Sequence, residues 1–211
     1  IESLREGLSK YLRDINNYKA VNMIGRGGYG KVEVAIDQKT GKKVAIKELF
    51  LSELEGQQLK MYCREVHILS KLRSPFLLHL DGFTTTHPYC IITEYIERGS
   101  LFDALRHKSG SPALTPSNKT IIAMGIAYGM KELHRMDIIH RDLKSLNVLL
   151  DENIYPMICD FGISRFRKQD RSALTIQVGT PHWMAPELYD DKGYNNKVDV
   201  FAYGVILWEI L

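Results

Sequence analysis

The sequence predicts an α+β fold with two lobes, a small antiparallel β lobe with one helix and a larger, mainly helical lobe. Three observations lead to this prediction. Short apolar segments with strand character fill the first part of the chain. One helical pattern interrupts them, and helical spacing dominates the remainder. We therefore expect a flanking segment over residues 1–17, the β lobe over 18–96 and the helical lobe over 97–211.

Strand character is clearest in the first half of the β lobe. Val32, Val34 and Ile36 recur at every second position, which is the period of a strand and not of a helix. The strands predicted here are YKAVNMIG, KVEVAI and KVAIKELF. Before them, the flanking segment predicts a short helix and a turn, and the helix carries Leu4, Leu8 and Leu12.

A helix is predicted from Ser52 to Leu72. It begins with SELE, which has the S-x-x-E form of a capping box. Two further strands, with a turn near His87–Pro88, complete the lobe. The apolar residues of the helix repeat at helical spacing, namely Tyr62, Val66, Leu69 and Leu72.

The helical lobe begins with a short helix and a loop rich in serine, proline and glycine, over residues 97–117. A region of loops and a hairpin is predicted from His140 to Glu187, and an apolar helix closes the sequence. Between them lies a longer helix, whose buried face is predicted to carry Ile122, Ile126, Met130 and Leu133.

Both ends of the chain have the character of cut ends. The first residue is Ile1 rather than methionine, and the last helix stops without a capping residue. We expect a fragment of a longer protein or an incomplete gene model. On that basis the 211 residues alone are expected to be poorly soluble or inactive.

Composition excludes several classes of protein. The net charge of +3 is too small to indicate binding to nucleic acid or to an anionic membrane. The sequence contains no run of about 18 apolar residues, which is the pattern that would predict a membrane span. The cysteines at 63, 90 and 159 are few and widely spaced, which favours a reducing compartment, and we expect the cytoplasm. The sequence makes no prediction of the oligomeric state.

The stretch IGRGGYGKVEVA contains the pattern G-x-G-x-x-G at Gly25, Gly27 and Gly30. Such a pattern holds a pyrophosphate between a strand and a helix in dinucleotide-binding folds. It also forms a flap between two strands over the phosphates of ATP. A glycine-rich turn that binds nothing is the third interpretation. The strand pattern directly after Gly30 counts against the dinucleotide site, which needs a helix there.

The strand KVAIKEL places Ala45 and Lys47 on one face, because side chains alternate along a strand. A lysine on the inner face is costly unless an anionic group meets it. The candidates are a nucleotide phosphate and Glu65 on the following helix. A lysine at the end of an exposed strand is the alternative.

The stretch HRDLKSLN lies between a helix and the apolar run VLL. Its Asp142 can accept a proton from a hydroxyl group, and Asn147 can offer a carbonyl oxygen to a hard cation. Lys144 can neutralise charge on a phosphoryl group in transfer. The alternative interpretation is a solvated loop with charged residues.

In ICDFGIS, Asp160 follows an apolar strand directly, and Gly162 permits a sharp bend. An aspartate in this position suits Mg²⁺, which prefers hard oxygen ligands. An ordinary turn is the alternative. For the later stretch VGTPHWMAPEL, composition alone indicates no more than a packed loop.

The order and spacing of these motifs resemble the protein kinase family from about residue 18 to the end. The resemblance implies a bilobal kinase fold, here incomplete at its C-terminus, and catalysis of phosphoryl transfer from ATP with Mg²⁺. The matching positions are Gly25, Gly27, Gly30 and Val32, then Val44 to Lys47, Glu65, His140 to Asn147, Asp160 to Gly162, and Ala185 to Glu187.

For ATP, the resemblance implies that the glycine loop covers the phosphates and that Lys47, paired with Glu65, holds the α- and β-phosphates. Thr93 matches the gatekeeper position, and the hinge runs from Glu94 to Ile96. Residues implied to contact ATP are Ile24, Gly25, Gly27, Gly30, Val32, Ala45, Lys47, Thr93, Glu94, Ile96 and Leu149.

For catalysis, the resemblance implies that Asp142 is the base and that Asn147 and Asp160 hold magnesium. Lys144, two residues after Asp142, is typical of serine/threonine kinases, as is Thr180. The motifs look most like the tyrosine-kinase-like group, whose members act mainly on serine and threonine. The implied partners are ATP and protein substrates. The alternative is a catalytically weak or pseudokinase module, although Lys47, Glu65, Asp142, Asn147 and Asp160 are all present.

The segment from Asp160 to Glu187 matches the activation segment of the family. It carries Ser172 and Thr175 among basic residues. A phosphate on either hydroxyl would pair with arginine, and Arg141 is the family's usual partner. We therefore expect phosphorylation to order this segment.

Overall fold

The computed structural model describes residues 2–26, 30–50, 56–162, 164–166, 181–189 and 193–211. The chain divides into two compact units. The first consists of Ile1–Leu72 and Leu78–Tyr95, and the second of Arg73–Leu77 and Ile96–Leu211.

The first unit is built on a five-stranded antiparallel sheet, as predicted. Its spatial order is β1-β2-β3-β5-β4. The α+β class is therefore confirmed. The strands are β1 (Tyr18–Arg26), β2 (Gly30–Asp37), β3 (Lys43–Leu49), β4 (Leu80–Phe83) and β5 (Cys90–Glu94).

The flanking segment contains a shorter helix than predicted, α1 (Glu2–Gly7), followed by 3-10 turns at Ser9–Tyr11 and Ile15–Asn17. Leu8 and Leu12 therefore lie outside it, because the chain leaves the helix to run beside the edge strand β4. The backbone nitrogen of Arg13 donates to the carbonyl of Phe83 at 3.0 Å, and Leu12 forms a bridge with Phe83. The segment thus covers backbone groups that an edge strand would otherwise expose.

The longer helix of the first unit is α2 (Gly56–Lys71). Its predicted capping box falls in residues 51–55, outside the described part of the chain. The hydroxyl of Tyr62 lies 2.6 Å from the carbonyl of Thr84 and 3.0 Å from that of Cys90, which ties the helix to the sheet. The predicted apolar face is confirmed, since the structure buries Tyr62, Val66, Leu69 and Leu72.

The helices of the second unit are α3 (Leu101–Leu105), α4 (Pro116–Arg135) and α5 (Lys197–Ile210). Helix α4 begins at a capping box in which Thr115 and Asn118 exchange hydrogen bonds, with Pro116 in the first turn. Its Gly125 is a point of close approach, because a Cβ there would lie 2.9 Å from the ring of Phe76. The buried face of α4 is as predicted, with Ile122, Ile126, Met130 and Leu133 all buried.

Two small antiparallel ribbons complete the second unit. Strand β6 (Ile138–Ile139) pairs with β9 (Arg165–Phe166), and β7 (Val148–Leu150) pairs with β8 (Pro156–Ile158). The predicted hairpin is the pair β7–β8. Among the described residues, none of the helices has the length and apolar character needed to cross a membrane.

Candidate active site

The glycine motif lies in the hairpin formed by β1 and β2. Gly25 is opposite Val32 in the register of the two strands, and Gly30 is the first residue of β2. Gly27 lies outside the described residues. Because a strand and not a helix follows Gly30, the motif does not have the strand–turn–helix context of a dinucleotide site. Ile24 is exposed, and Val32 is half-buried.

Lys47 forms an ion pair with Glu65. Its Nζ lies 2.8 Å from Oε1 and 2.9 Å from Oε2 of the carboxylate. Glu65 is 8% exposed, whereas the side chain of Lys47 is 34% exposed. Of the two anions that the sequence offered for Lys47, the structure shows the carboxylate of Glu65.

Strand β3 and the two strands beside it carry further predicted ATP contacts of this unit. Ala45 on β3 is opposite Thr93 on β5, and Val32 on β2 is opposite Lys47. Thr93 is buried and Ala45 is half-buried. Cross-strand register thus brings these side chains together, although they are far apart in the sequence.

Glu94, the last residue of β5, is fixed by His79. Its Oε1 accepts a hydrogen bond from the backbone nitrogen of His79 at 2.8 Å and lies 2.8 Å from the Nδ1 atom of the same residue. Burial alone would raise the pKa of Glu94, but the bonds to His79 outweigh it and hold the pKa below its usual value. Ile96, the third residue of the predicted hinge, begins the next stretch of the second unit.

The stretch HRDLKSLN brings two predicted residues to the carboxylate of a third, Asp142. The Oδ2 atom of Asp142 lies 2.9 Å from Nζ of Lys144 and 3.1 Å from Nδ2 of Asn147. The same Nδ2 donates to the backbone carbonyl of Asp142 at 2.8 Å. Asn147 is buried, in a 3-10 turn over Ser145–Asn147. The loop therefore presents an anionic oxygen, a cation and an amide within one short stretch.

The side chain of His140 makes hydrogen bonds to the backbone on both sides of its ring. The backbone nitrogen of Asp142 donates to its Nδ1 at 3.2 Å, so Nδ1 must be the unprotonated ring nitrogen. Nε2 then carries the hydrogen and donates to the carbonyl of Cys159 at 3.0 Å. His140 is fully buried, and its ring meets that of Phe161 edge to face at 5.2 Å. The stretch HRDLKSLN is thereby joined to the stretch from Asp160 to Gly162.

Asp199 is a supporting residue to which sequence reasoning assigned no role in the site. Its Oδ1 and Oδ2 accept hydrogen bonds from the backbone nitrogens of Arg141 and His140, each at 2.9 Å. Oδ2 also lies 2.8 Å from Nε2 of His134. A usable signal exists in the sequence, because a carboxylate inside the apolar helix KVDVFAYGVILWEI is costly to bury without donors.

One residue, Cys159, separates Asp160 from the end of strand β8, and Asp160 is exposed. Its backbone has a positive φ of 61°, and its Oδ1 accepts from the nitrogen of Gly162 at 3.3 Å. The neighbouring nitrogen of Cys159 donates to the carbonyl of Asn147 at 2.9 Å, which holds the two proposed metal ligands in the same region. Leu149 is half-buried on β7.

These residues fit Mg²⁺ in the chemistry of their donors. Both hydrogens of Nδ2 in Asn147 are directed to Asp142, so Oδ1 is the atom that can act as ligand. Asp160 adds a carboxylate. Within the described part of the chain, no group of three or more acidic, histidine or cysteine residues forms a metal cage. Two oxygen ligands agree with a cation that takes its remaining ligands from phosphates and water.

Several predicted features fall on residues that the structure does not describe. They are the hydroxyls of Ser172, Thr175 and Thr180, which all lie within residues 167–180. The structure resumes with 3-10 turns at Pro181–Trp183 and Pro186–Tyr189.

Comparison with known proteins identifies the family of the chain. Residues 18–211 match the family described as protein kinase domain. The chain is 40% identical, over 95% of its length, to a probable serine/threonine-protein kinase of Dictyostelium discoideum, and covers 22% of that protein.

Two relatives come from Arabidopsis thaliana. The serine/threonine-protein kinase STY46 is 36% identical over 98% of this chain and 35% of its own length. The serine/threonine-protein kinase CTR1 is 40% identical over 89% of this chain and 23% of its own length. The chain thus spans between about a fifth and about a third of the length of these curated relatives. The resemblance to the tyrosine-kinase-like group fits these relatives.

Proposed function

The chain belongs to the protein kinase family, and on this premise we propose that the protein transfers the γ-phosphoryl group of ATP to serine or threonine hydroxyls of protein substrates. The relatives with which it aligns over most of its length are named as serine/threonine-protein kinases. Their agreement supports the class of reaction and of acceptor.

The observation that carries the proposal is the group around Asp142. Its Oδ2 has Lys144 at 2.9 Å and Asn147 at 3.1 Å, so the carboxylate is held in one direction. In the proposed step the substrate hydroxyl oxygen forms a bond to the γ-phosphorus, while the bond from that phosphorus to the β–γ bridging oxygen breaks. ADP leaves with the electron pair. The hydroxyl proton passes to the carboxylate of Asp142.

Lys144 has a second part in this step. Its ammonium group is a compact charge on a flexible stem, and the phosphoryl oxygens gather negative charge during transfer. A lysine already directed to the base can stabilise that charge without large movement. We assign it this role together with Asp142.

Lys47 and the glycine hairpin bind the nucleotide in this proposal. Glu65 directs the ammonium group of Lys47, which then meets the α- and β-phosphates. Gly25, Gly27 and Gly30 let the backbone approach the phosphates, because no Cβ stands in the way. The adenine ring takes contacts from Ile24, Val32, Ala45, Thr93, Glu94, Ile96 and Leu149.

Mg²⁺ bound to the phosphates would neutralise the charge that develops there. We propose Oδ1 of Asn147 and the carboxylate of Asp160 as its ligands from this chain. Phosphorylation of Ser172 or Thr175 is proposed to regulate the enzyme. We propose that the protein acts in the cytoplasm. Its proposed partners are ATP and protein substrates, and we propose no binding to nucleic acid.

The test is transfer of labelled γ-phosphate by the intact protein to casein, myelin basic protein and itself. Asp142→Asn should lower the rate by about a thousandfold or more, since it removes the base and the charge that directs Lys144. Asp103→Asn is the matched control, because Asp103 pairs with Lys108 in a partly exposed position of α3. The product should contain phosphoserine or phosphothreonine.

Each other outcome has a distinct meaning. Phosphotyrosine alone would overturn the class of acceptor. Full activity of Asp142→Asn would overturn the assignment of the base. ATP binding without any transfer by the unaltered protein would favour the pseudokinase alternative.

A further inference from the structure

Glu209 forms a buried junction near the end of helix α5. Its Oε1 accepts a hydrogen bond from the hydroxyl of Ser145, and its Oε2 accepts one from Nε1 of Trp183, each at 2.8 Å. The side chain of Glu209 is only 10% exposed. Both carboxylate oxygens are therefore occupied by donors from two segments that are far apart in the sequence.

The position of this carboxylate is unfavourable by local preference. Glu209 belongs to the helix sequence KVDVFAYGVILWEI, in which most of its neighbours are apolar. The guanidinium of Arg106 lies 3.9 Å from Oε1, and its side chain is mostly exposed. Since a buried carboxylate is costly without strong donors, the two hydrogen bonds are what makes this placement favourable.

Each donor is equally dependent on the carboxylate. Ser145 is fully buried and Trp183 is nearly so. The indole nitrogen is a donor only, and a buried donor without an acceptor loses the free energy of its hydration. Removal of the carboxylate would thus leave two buried donors unsatisfied and would free both segments to shift.

The two segments are the ones that the proposed reaction needs. Ser145 begins the 3-10 turn that ends at Asn147, and Asn147 holds the carboxylate of Asp142. Trp183 belongs to the 3-10 turn Pro181–Trp183, which leads into Met184 and Ala185 in a buried cluster with Ile139. A shift at Ser145 moves the base, and a shift at Trp183 moves the segment that follows residues 167–180.

We infer that Glu209 is a positioning residue that fixes the catalytic loop and the segment 181–189 against each other for phosphoryl transfer to a protein hydroxyl. It touches neither substrate nor phosphate and acts through Ser145 and Trp183. The inference rests on the proposed function. Water can accept the phosphoryl group without alignment of a bound protein chain, so the effect falls on transfer to protein more than on transfer to water.

The variant Glu209→Leu tests this, because leucine keeps the approximate size and removes both acceptors. In the intact protein we expect the ratio of protein phosphorylation to ATP hydrolysis to fall by about tenfold. The ratio does not depend on the fraction of folded enzyme. The acceptor is whichever of casein, myelin basic protein and the protein itself the wild type phosphorylates fastest.

Glu209→Gln should restore the ratio to within about threefold of the wild type. Its carbonyl oxygen can accept from Trp183 while its amide nitrogen donates to the hydroxyl oxygen of Ser145. Glu132→Leu is the matched control, because Glu132 makes only an exposed i,i+3 pair with Arg135. If Glu209→Leu folds too poorly to be assayed, Ser145→Ala removes a single donor and should lower the same ratio by about threefold.

Hydrogen exchange separates this inference from the proposed function. Glu209→Leu should accelerate exchange at the amide of Asn147, which donates to the carbonyl of Lys144 at 2.9 Å, and leave the middle of α4 unchanged. If Glu209→Leu changes exchange in this way but the wild-type protein transfers no phosphate, the proposed function fails and the positioning role of Glu209 stands. Unchanged exchange at Asn147, or equal losses of protein phosphorylation and ATP hydrolysis, would overturn the inference.

Discussion

The ammonium group of Lys47 is almost equidistant from the two carboxylate oxygens of Glu65, at 2.8 and 2.9 Å. The contact directs the ammonium group to the carboxylate of Glu65, whose side chain is 10% exposed, while the side chain of Lys47 is 34% exposed. In the proposed function, this pairing orients Lys47 for its contact with the α- and β-phosphates of ATP.

Replacement of Lys47 by methionine should impair nucleotide binding and transfer. Methionine keeps much of the apolar stem and removes the charge, so a charge-assisted bond to phosphate is lost and Glu65 is left without this partner. We expect kcat/KM for ATP to fall by about a hundredfold. Steady-state kinetics at varied ATP concentration measure the change.

Lys19→Met is the control for this variant, because Lys19 is exposed on strand β1 of the same sheet. It should change kcat/KM for ATP by less than about twofold. An unchanged kcat/KM in Lys47→Met would contradict the role of Lys47 at the phosphates.

Asp199→Asn should destabilise the second unit. Asp199 is 2% exposed, and its carboxylate accepts hydrogen bonds from the backbone nitrogens of His140 and Arg141. It also bonds to Nε2 in the side chain of His134. Asparagine replaces one of the two carboxylate oxygens with an NH₂ group, which would then face donors of the protein instead of accepting from them. We expect the free energy of unfolding to fall by about 3 kcal/mol.

Urea unfolding followed by circular dichroism measures this loss. Glu152→Gln, at an exposed turn position, is the control and should stay within about 0.5 kcal/mol of the wild type. A loss of that small size in Asp199→Asn would mean that the three donors find other acceptors.

Much of the site follows from local pattern, and the remainder depends on contacts that no pattern contains. Period-2 alternation predicted β2, and Glu65 was one of the two anionic partners that the sequence offered for Lys47. The predicted end of α1 was wrong, because contact of the following residues with β4 outweighs the leucine spacing that predicted a longer helix. Asp199 and Glu209 were missed as supporting residues, since their donors lie in loops far away in the sequence.

Gly82→Ala should loosen the flanking segment from the sheet. A Cβ at this position would meet the carbonyl oxygen of Tyr11 at 2.9 Å and the side chain of Arg13. Since both belong to the segment that covers β4, overpacking should displace it and lower the free energy of unfolding by about 2 kcal/mol. Faster hydrogen exchange at the amide of Arg13 would accompany the loss.

Gly7→Ala is the matched substitution, because a Cβ there meets nothing within 4 Å. It should leave exchange at Arg13 unchanged. Equal behaviour of the two variants would show that the contact with β4 is adaptable.

Glu94 should make the stability of the first unit dependent on pH in the acidic range. Its pKa in the folded protein lies below the ordinary value of 4.5, because the bonds to His79 outweigh the effect of burial. The unfolded chain therefore binds more protons near and below this pH. The contribution of Glu94 is fully present above pH 4.5 and is lost as the pH falls through the lower, folded pKa.

Glu94→Gln removes this titration. The variant should lose about 1 kcal/mol of stability at neutral pH, and its stability should fall less steeply than that of the wild type below about pH 5. Thermal unfolding from neutral to acidic pH measures both effects. Parallel curves for Glu94→Gln and the wild type would mean that His79 gives Glu94 no advantage in the folded state.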